Sequence, residues 1–172
     1  MNQYQPSVMG FIGSSVYGKI EGGKRNGGTD KTVAGLVELI CVSLLPTLNL
    51  TGDFILAERI STRFGRVGGG DIVLVSSPEN HRKVMAKRLM GMEGDSVTYV
   101  VDPKNNDWCE TVVVPKGHVW IEGDNMYDSK DSRYFGAVPY GLLQGKVFWR
   151  LWPPKSLGPL EKRKSNETVL GG

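Results

Sequence analysis

The serine at position 43, in the run Val42-Ser43-Leu44-Leu45-Pro46, stands against an apolar turn directly ahead of a strand-like segment. A serine hydroxyl is a weak nucleophile near neutral pH and needs a base to take its proton. Without one, Ser43 is a polar turn residue of the kind that often precedes proline. Only two histidines are present, His81 and His118; neither comes with a partner motif, and His118 falls in a strand-like run where packing is its expected role. Lysine can replace histidine if its ammonium is desolvated, because burial disfavours the charged form. Lys87 is the best candidate, since Val84, Met85, Ala86, Leu89 and Met90 could wall it in. The competing reading is a lysine that faces solvent from a strand, the common place for one. A third segment, "GDNMYDSKDSRYFGAVP" from Gly123 to Pro139, reads as a well-defined turn in which Asp131 and Arg133 can form a local ion pair. Taken alone it could be loop architecture, because such side chains hydrogen-bond backbone and fix turns.

The elements that must position these residues are mainly β. From Asp53 onward, short runs broken by turn residues ("FILAERIS", "DIVLVSS", "KVMAKRLMGME", "SVTYVV", "ETVVVP", "HVWIEGD", "KVFWRLW") predict an antiparallel sheet system. In the last of them, strand alternation would set Val147, Trp149 and Leu151 on one face, against Phe148, Arg150 and Trp152. "DPKNNDWCE" reads as a hairpin tip, and "RVGGGD" as an inter-strand turn that lacks the ending and the helix a phosphate loop requires. Ahead of the sheet, Thr32 to Cys41 could form a short helix, capped by Thr29 or Asp30, with Val33, Leu36, Val37 and Ile40 on one face. Residues 1–31 are Gly- and Ser-rich and predict a flexible lead-in. The ordered domain is then expected over 32–157, followed by a disordered polar tail over 158–172.

Composition excludes several classes. A chain of 172 residues with 40% hydrophobic residues fits one globular domain. Its net charge of +3 is slight and the lysines and arginines are interleaved with acids, so no nucleic-acid surface is indicated; Lys162, Arg163 and Lys164 read as a solvated end. Cys41 and Cys109 lie far apart without a Cys-x-x-Cys pattern, so no disulfide framework or zinc site is expected. The apolar stretch from Val33 to Leu45 falls short of the roughly 20 residues a membrane span needs. No convincing signal or transit peptide precedes it.

In chain order, "SLLPTLNLTGDFILAERIS", "KRLMGMEGD" and "GDNMYDSKDSRYFGAVP" together resemble the type I signal peptidase family of serine proteases with a Ser/Lys dyad. The likeness runs from about Cys41 to Pro154. The wording "LPTLNLTGD", "AERIS", "PKGHVWIEGDN" and "VPYGL" is similar to the mitochondrial inner membrane branch of that family. The resemblance implies a β-rich catalytic domain with Ser43 as nucleophile and Lys87 as general base. Ser129 would orient the lysine, Asp131 and Arg133 would brace the loop, and Cys41 with the Ser43 N–H would form the oxyanion region. It implies no metal or organic cofactor. The expected reaction is removal of presequences from precursor proteins at the mitochondrial inner membrane, on the intermembrane-space face. The substrate would lie extended beside a strand, and a homologous second subunit and a membrane surface are the implied partners.

Three departures support a different reading, a catalytically weakened or inactive member acting as a partner subunit. Relatives usually read Pro-Ser-Met or Gly-Ser-Met where this chain has Val42-Ser43-Leu44. Cys41 stands where relatives carry glycine or a hydroxyl residue, and loss of one oxyanion donor costs about 2.7 to 4 kcal/mol. The membrane anchor that normally precedes the serine is not evident. Self-cleavage of the repressor type is weaker still, because no DNA-binding module precedes the dyad. A bacterial leader peptidase ranks below the organelle enzyme on wording.

Overall fold

The computed structural model describes residues 34–39, 44, 46–48, 53–102, 106–160 and 162, with backbone alone at 34–39, 102, 106 and 107. Strands β1 (Ala34–Leu39), β2 (Asp53–Glu58), β3 (Ile72–Ser76), β4 (Val84–Gly91), β5 (Ser96–Asp102), β6 (Asn106–Val113), β7 (His118–Glu122), β8 (Val138–Pro139), β9 (Leu143–Trp152) and β10 (Gly158–Pro159) carry the fold. Two four-residue helices accompany them, α1 (Ile60–Arg63) and α2 (Ser132–Phe135). The main sheet has the order β1-β2-β9-β3-β4-β7-β8 with β10 on β9, and β5 and β6 form a separate hairpin. Every pairing is antiparallel, as the sequence of short runs predicts.

The central strand explains why "DIVLVSS" is apolar throughout and does not alternate. All of β3 is buried, because both of its faces are covered. Val73 and Val75 enter one apolar cluster with Leu89, Val119 and Ile121. Ile72 and Leu74 enter another with Leu44, Leu48, Ile55 and Ala86. A third cluster of Val97, Val114 and Trp120 fastens the β5–β6 hairpin to β7, helped by the Tyr99 and Trp120 rings at 4.9 Å. Gly145 is required where β9 passes β2, since a Cβ there would fall 2.9 Å from the Glu58 carbonyl oxygen.

Three expectations are corrected. The helix expected over Thr32 to Cys41 is a strand across Ala34–Leu39, in register with β2 from Ala34 opposite Glu58 to Leu39 opposite Asp53. An isolated helix that short is marginal, and a full antiparallel ladder outweighs weak local propensity. The alternation in "KVFWRLW" is broken: Ala57 pairs with Val147 and Leu56 with Trp149, so Phe148 is extra. That bulge resets the pattern, leaving Phe148 and Trp149 exposed while Val147 and Arg150 are buried. Order also runs past the 157/158 boundary, because β10 pairs with Arg150 and Trp149 and Lys162 reaches Asp71 at 3.2 Å. The lead-in expected over residues 1–31 lies outside the described residues. Among the described residues, no helix is long and apolar enough to cross a membrane.

Candidate active site

Lys87 lies mid-strand on β4, directly opposite Val73 of β3. Residues opposite one another and two apart share a face, so Lys87 stands with Val73, Met85 and Leu89. All three neighbours are buried, and Lys87 itself is 0% exposed. The solvent-facing reading of this lysine is therefore excluded. Its Nζ donates to Ser129 Oγ at 2.7 Å.

The loop that presents Ser129 is anchored by the next residues along. Asp131 is the cap of α2, and its Oδ1 accepts from the Arg133 backbone N–H at 3.1 Å and Arg133 Nε at 2.9 Å. Its Oδ2 accepts from Arg133 Nη2 at 2.6 Å and from the Gly123 N–H at 2.8 Å. Ser132 Oγ accepts from the Ile121 N–H at 3.0 Å. Two successive side chains thus bind the loop to β7, and Gly136, at φ 81°, lets the chain leave α2. Burial by itself pushes the Asp131 carboxyl up, but the hydrogen bond and charge of Arg133, with help from the nearby Ser129 hydroxyl and the Gly123 N–H, hold it below the ordinary value of 3.8.

A second polar network lies next to Lys87. Arg88 grips Asp124 through Nε at 2.7 Å and Nη2 at 2.8 Å, and donates to the Gly70 carbonyl at 2.8 Å. Both side chains of this ion pair are only 3% exposed. Thr47 joins it, its hydroxyl donating to Asp124 Oδ2 at 2.5 Å and accepting from Arg88 Nη2 at 3.3 Å. Removing one partner of a buried, hydrogen-bonded pair leaves the other charge uncompensated, which makes this network a firm anchor.

Glu122 is the neighbour that sequence reasoning missed. Burial pushes its carboxyl above the ordinary value of 4.5; the Trp120 N–H and Arg133 pull it down, Asp131 and Asp124 push it up, and the net shift is upward. A raised acid favours folding fully below its unfolded value, and that advantage is lost as pH rises through the folded value. Glu122→Gln keeps an oxygen to accept from Trp120 Nε1, a bond now 2.8 Å, and removes the buried charge. The variant should therefore melt a few degrees above wild type near about pH 7, with the gain vanishing in acid. Thermal melts across pH check this.

The structure brings Lys87, Ser129, Asp131 and Arg133 together, whereas Cys41 and Ser43 lie outside the described residues. Beyond the expected residues it adds Arg88, Asp124, Thr47 and Glu122. Asp124 and Arg88 sat inside motifs already singled out, but nothing in the sequence paired them. Among the described residues, no group of three or more His, Cys, Asp and Glu could hold a metal ion.

Comparison with known proteins identifies the family. The family model described as signal peptidase, peptidase S26, matches residues 31–104 and 101–152. The mitochondrial ATP-independent inner membrane protease subunit 1a of Arabidopsis thaliana is 52% identical over 132 residues, covering 77% of this chain and 79% of that protein. The mitochondrial inner membrane protease subunit 1 of Mus musculus is 38% identical, covering 73% and 74%. Subunit 2 of the Saccharomyces cerevisiae protease is 34% identical, covering 75% and 74%. A crystal structure of a signal peptidase I from Enterococcus faecalis aligns over 46% of this chain and 95% of its own, at 28% identity and a TM-score of 0.40. With a family model spanning residues 31–152 and relatives matched over most of their length, this chain belongs to the type I signal peptidase family, peptidase S26.

Proposed function

We propose that the chain is a serine endopeptidase that uses a Ser43/Lys87 dyad to remove presequences from precursor proteins at the mitochondrial inner membrane, on its intermembrane-space face. The observation that carries this reading is the wholly buried Lys87 amine held by Ser129 at 2.7 Å. Burial favours the neutral amine, and the bond to Ser129 fixes its direction. Leu44, bonded to Ser43, shares an apolar cluster with Ala86, which is bonded to Lys87; this supports a short path between the two functional groups.

In the proposed reaction, Ser43 Oγ attacks the scissile carbonyl and Lys87 Nζ takes its proton. Lys87 then returns that proton to the leaving amine, and water clears the acyl-enzyme by the same route. In this reading the Ser43 N–H and Cys41 would supply the oxyanion region. A thiol donates hydrogen bonds weakly, so this half of the site is slower than one with a hydroxyl. The precursor lies extended beside a strand, held through its backbone. A homologous second subunit as partner follows from relatives named subunit 1 and subunit 2.

The test uses the purified full chain, detergent and a precursor carrying its presequence. Wild type should cut once and Ser43→Ala should not cut. Equal cutting by the two would refute the reading. An inactive wild-type chain that still captures a homologous subunit would instead make it the partner suggested by Cys41 and Val42.

A further inference from the structure

Arg150 belongs to none of the three motifs, yet it is buried, on β9 opposite Ile55 of β2. Its Nη2 donates to the Thr47 carbonyl. Thr47 is held on its other side as well, through the hydroxyl, by Asp124 at 2.5 Å and Arg88 at 3.3 Å. Leu44 and Leu48, which bracket Thr47, are both 0% exposed, and the Leu48 N–H closes the turn on the Leu44 carbonyl at 2.9 Å. This turn follows directly on Ser43.

We infer that Arg150 is a positioning residue for the cleavage reaction, acting through Thr47 to fix the turn that carries Ser43 against the strand that carries Lys87. The inference rests on the Ser43/Lys87 reading. Thr47 is clamped from two strands at once: its carbonyl by β9, its hydroxyl by the Arg88–Asp124 pair beside Lys87. Two independent fixings remove the freedom of the turn to slide or rotate. A misplacement of about 1 Å at a reacting atom can cost roughly a hundredfold in rate.

Energetics argue that packing is not the reason for this arginine. Among the described residues its Nε has no hydrogen-bond partner, so part of the guanidinium is desolvated without return. Apolar side chains replacing buried charges are often neutral or stabilising. Leucine or methionine would fill the same space at less cost, and what they lack is the donor to Thr47.

The experiment compares Arg150→Met, Arg150→Lys, Thr47→Val and Ser43→Ala with wild type on the same precursor, recording kcat, KM, the pH profile and the melting temperature. Arg150→Met should lose about tenfold to a hundredfold in kcat, with KM within about twofold of wild type and the melting temperature not lowered. Arg150→Lys should recover part of the loss. Thr47→Val, which removes the hydroxyl and leaves the carbonyl that Arg150 holds, should lose kcat through the other clamp, that of Asp124 and Arg88; Arg150→Leu, made alongside, serves if Arg150→Met does not fold. The pH limb set by Lys87 should not move, because the base is untouched. Wild-type kcat in a folded Arg150→Met or Arg150→Leu variant would overturn the proposal, as would a rise in KM with kcat held; if Ser43→Ala is dead in the same series, the protease reading survives that failure. Undiminished cutting by Ser43→Ala overturns the reading and this inference with it.

Discussion

Lys87→Met is expected to lower kcat by roughly 10²- to 10⁴-fold, the usual contribution of a positioned general base, while the chain still folds. Methionine matches the unbranched stem and fills the space against Val73, Met85 and Leu89, but carries no lone pair that can take the Ser43 proton. Stability should hold, because a polar amine buried among apolar side chains is costly to desolvate and its loss removes that cost together with one bond to Ser129. Lys87→Arg should be equally inactive. A guanidinium stays protonated at any accessible pH, so preserving the charge does not preserve the base. In wild type, the rate should rise with pH as the amine loses its proton and then level off, since only the neutral form accepts. A rate that is flat from mildly acidic to alkaline solution, or a Lys87→Arg variant with wild-type turnover, would eliminate lysine as the base.

The parts of the fold that were legible in the sequence are those where local pattern and tertiary environment agree. Strands β2 to β5, β7 and β9 fall on runs singled out in the sequence, whereas β6 begins at Asn106, inside the stretch "DPKNNDWCE" that reads as a hairpin tip. Two further features misled. The segment containing Ala34–Leu39 has apolar residues at a helical spacing, and only pairing with β2, a partner beyond the intervening turn, makes it a strand. The bulge at Phe148 is set by register against Leu56 and Ala57, which no inspection of β9 alone can supply. At the site the contrast is similar. Asp131 and Arg133 are two apart, so their pairing could be read directly. Asp124 and Arg88 are 36 apart, and Thr47 and Asp124 are 77 apart. Those contacts exist only because β4, the end of β7 and the turn after Ser43 converge. Burial of Glu122 was illegible for the same reason, its environment being assembled from Trp120, Asp124, Asp131 and Arg133.

Asp131→Asn should destabilise the chain by about 3 to 5 kcal/mol at neutral pH, the usual consequence of breaking one side of a buried ion pair. Asp131 is 0% exposed, and its two oxygens receive donors from Gly123 and from both the backbone and side chain of Arg133. An amide keeps one oxygen, turns an NH₂ toward donors, and leaves the Arg133 guanidinium half-buried without its counter-charge. For a domain of this size the melting temperature should fall on the order of 10 °C. The pH dependence has a definite sign. Because the folded carboxyl is held below its ordinary value of 3.8, its contribution is complete above that value and is lost as pH falls through the lower, folded one. The gap between wild type and Asp131→Asn should therefore be widest above about pH 4 and close in stronger acid, opposite in sign to the Glu122→Gln difference. Turnover should fall too, because Ser129 and its bond to Lys87 depend on the loop that this carboxylate fastens to β7. Melts of equal temperature for wild type and Asp131→Asn at neutral pH would show that the loop is held by Ser132 and packing alone, and would remove Asp131 from the chain of contacts that orients the lysine.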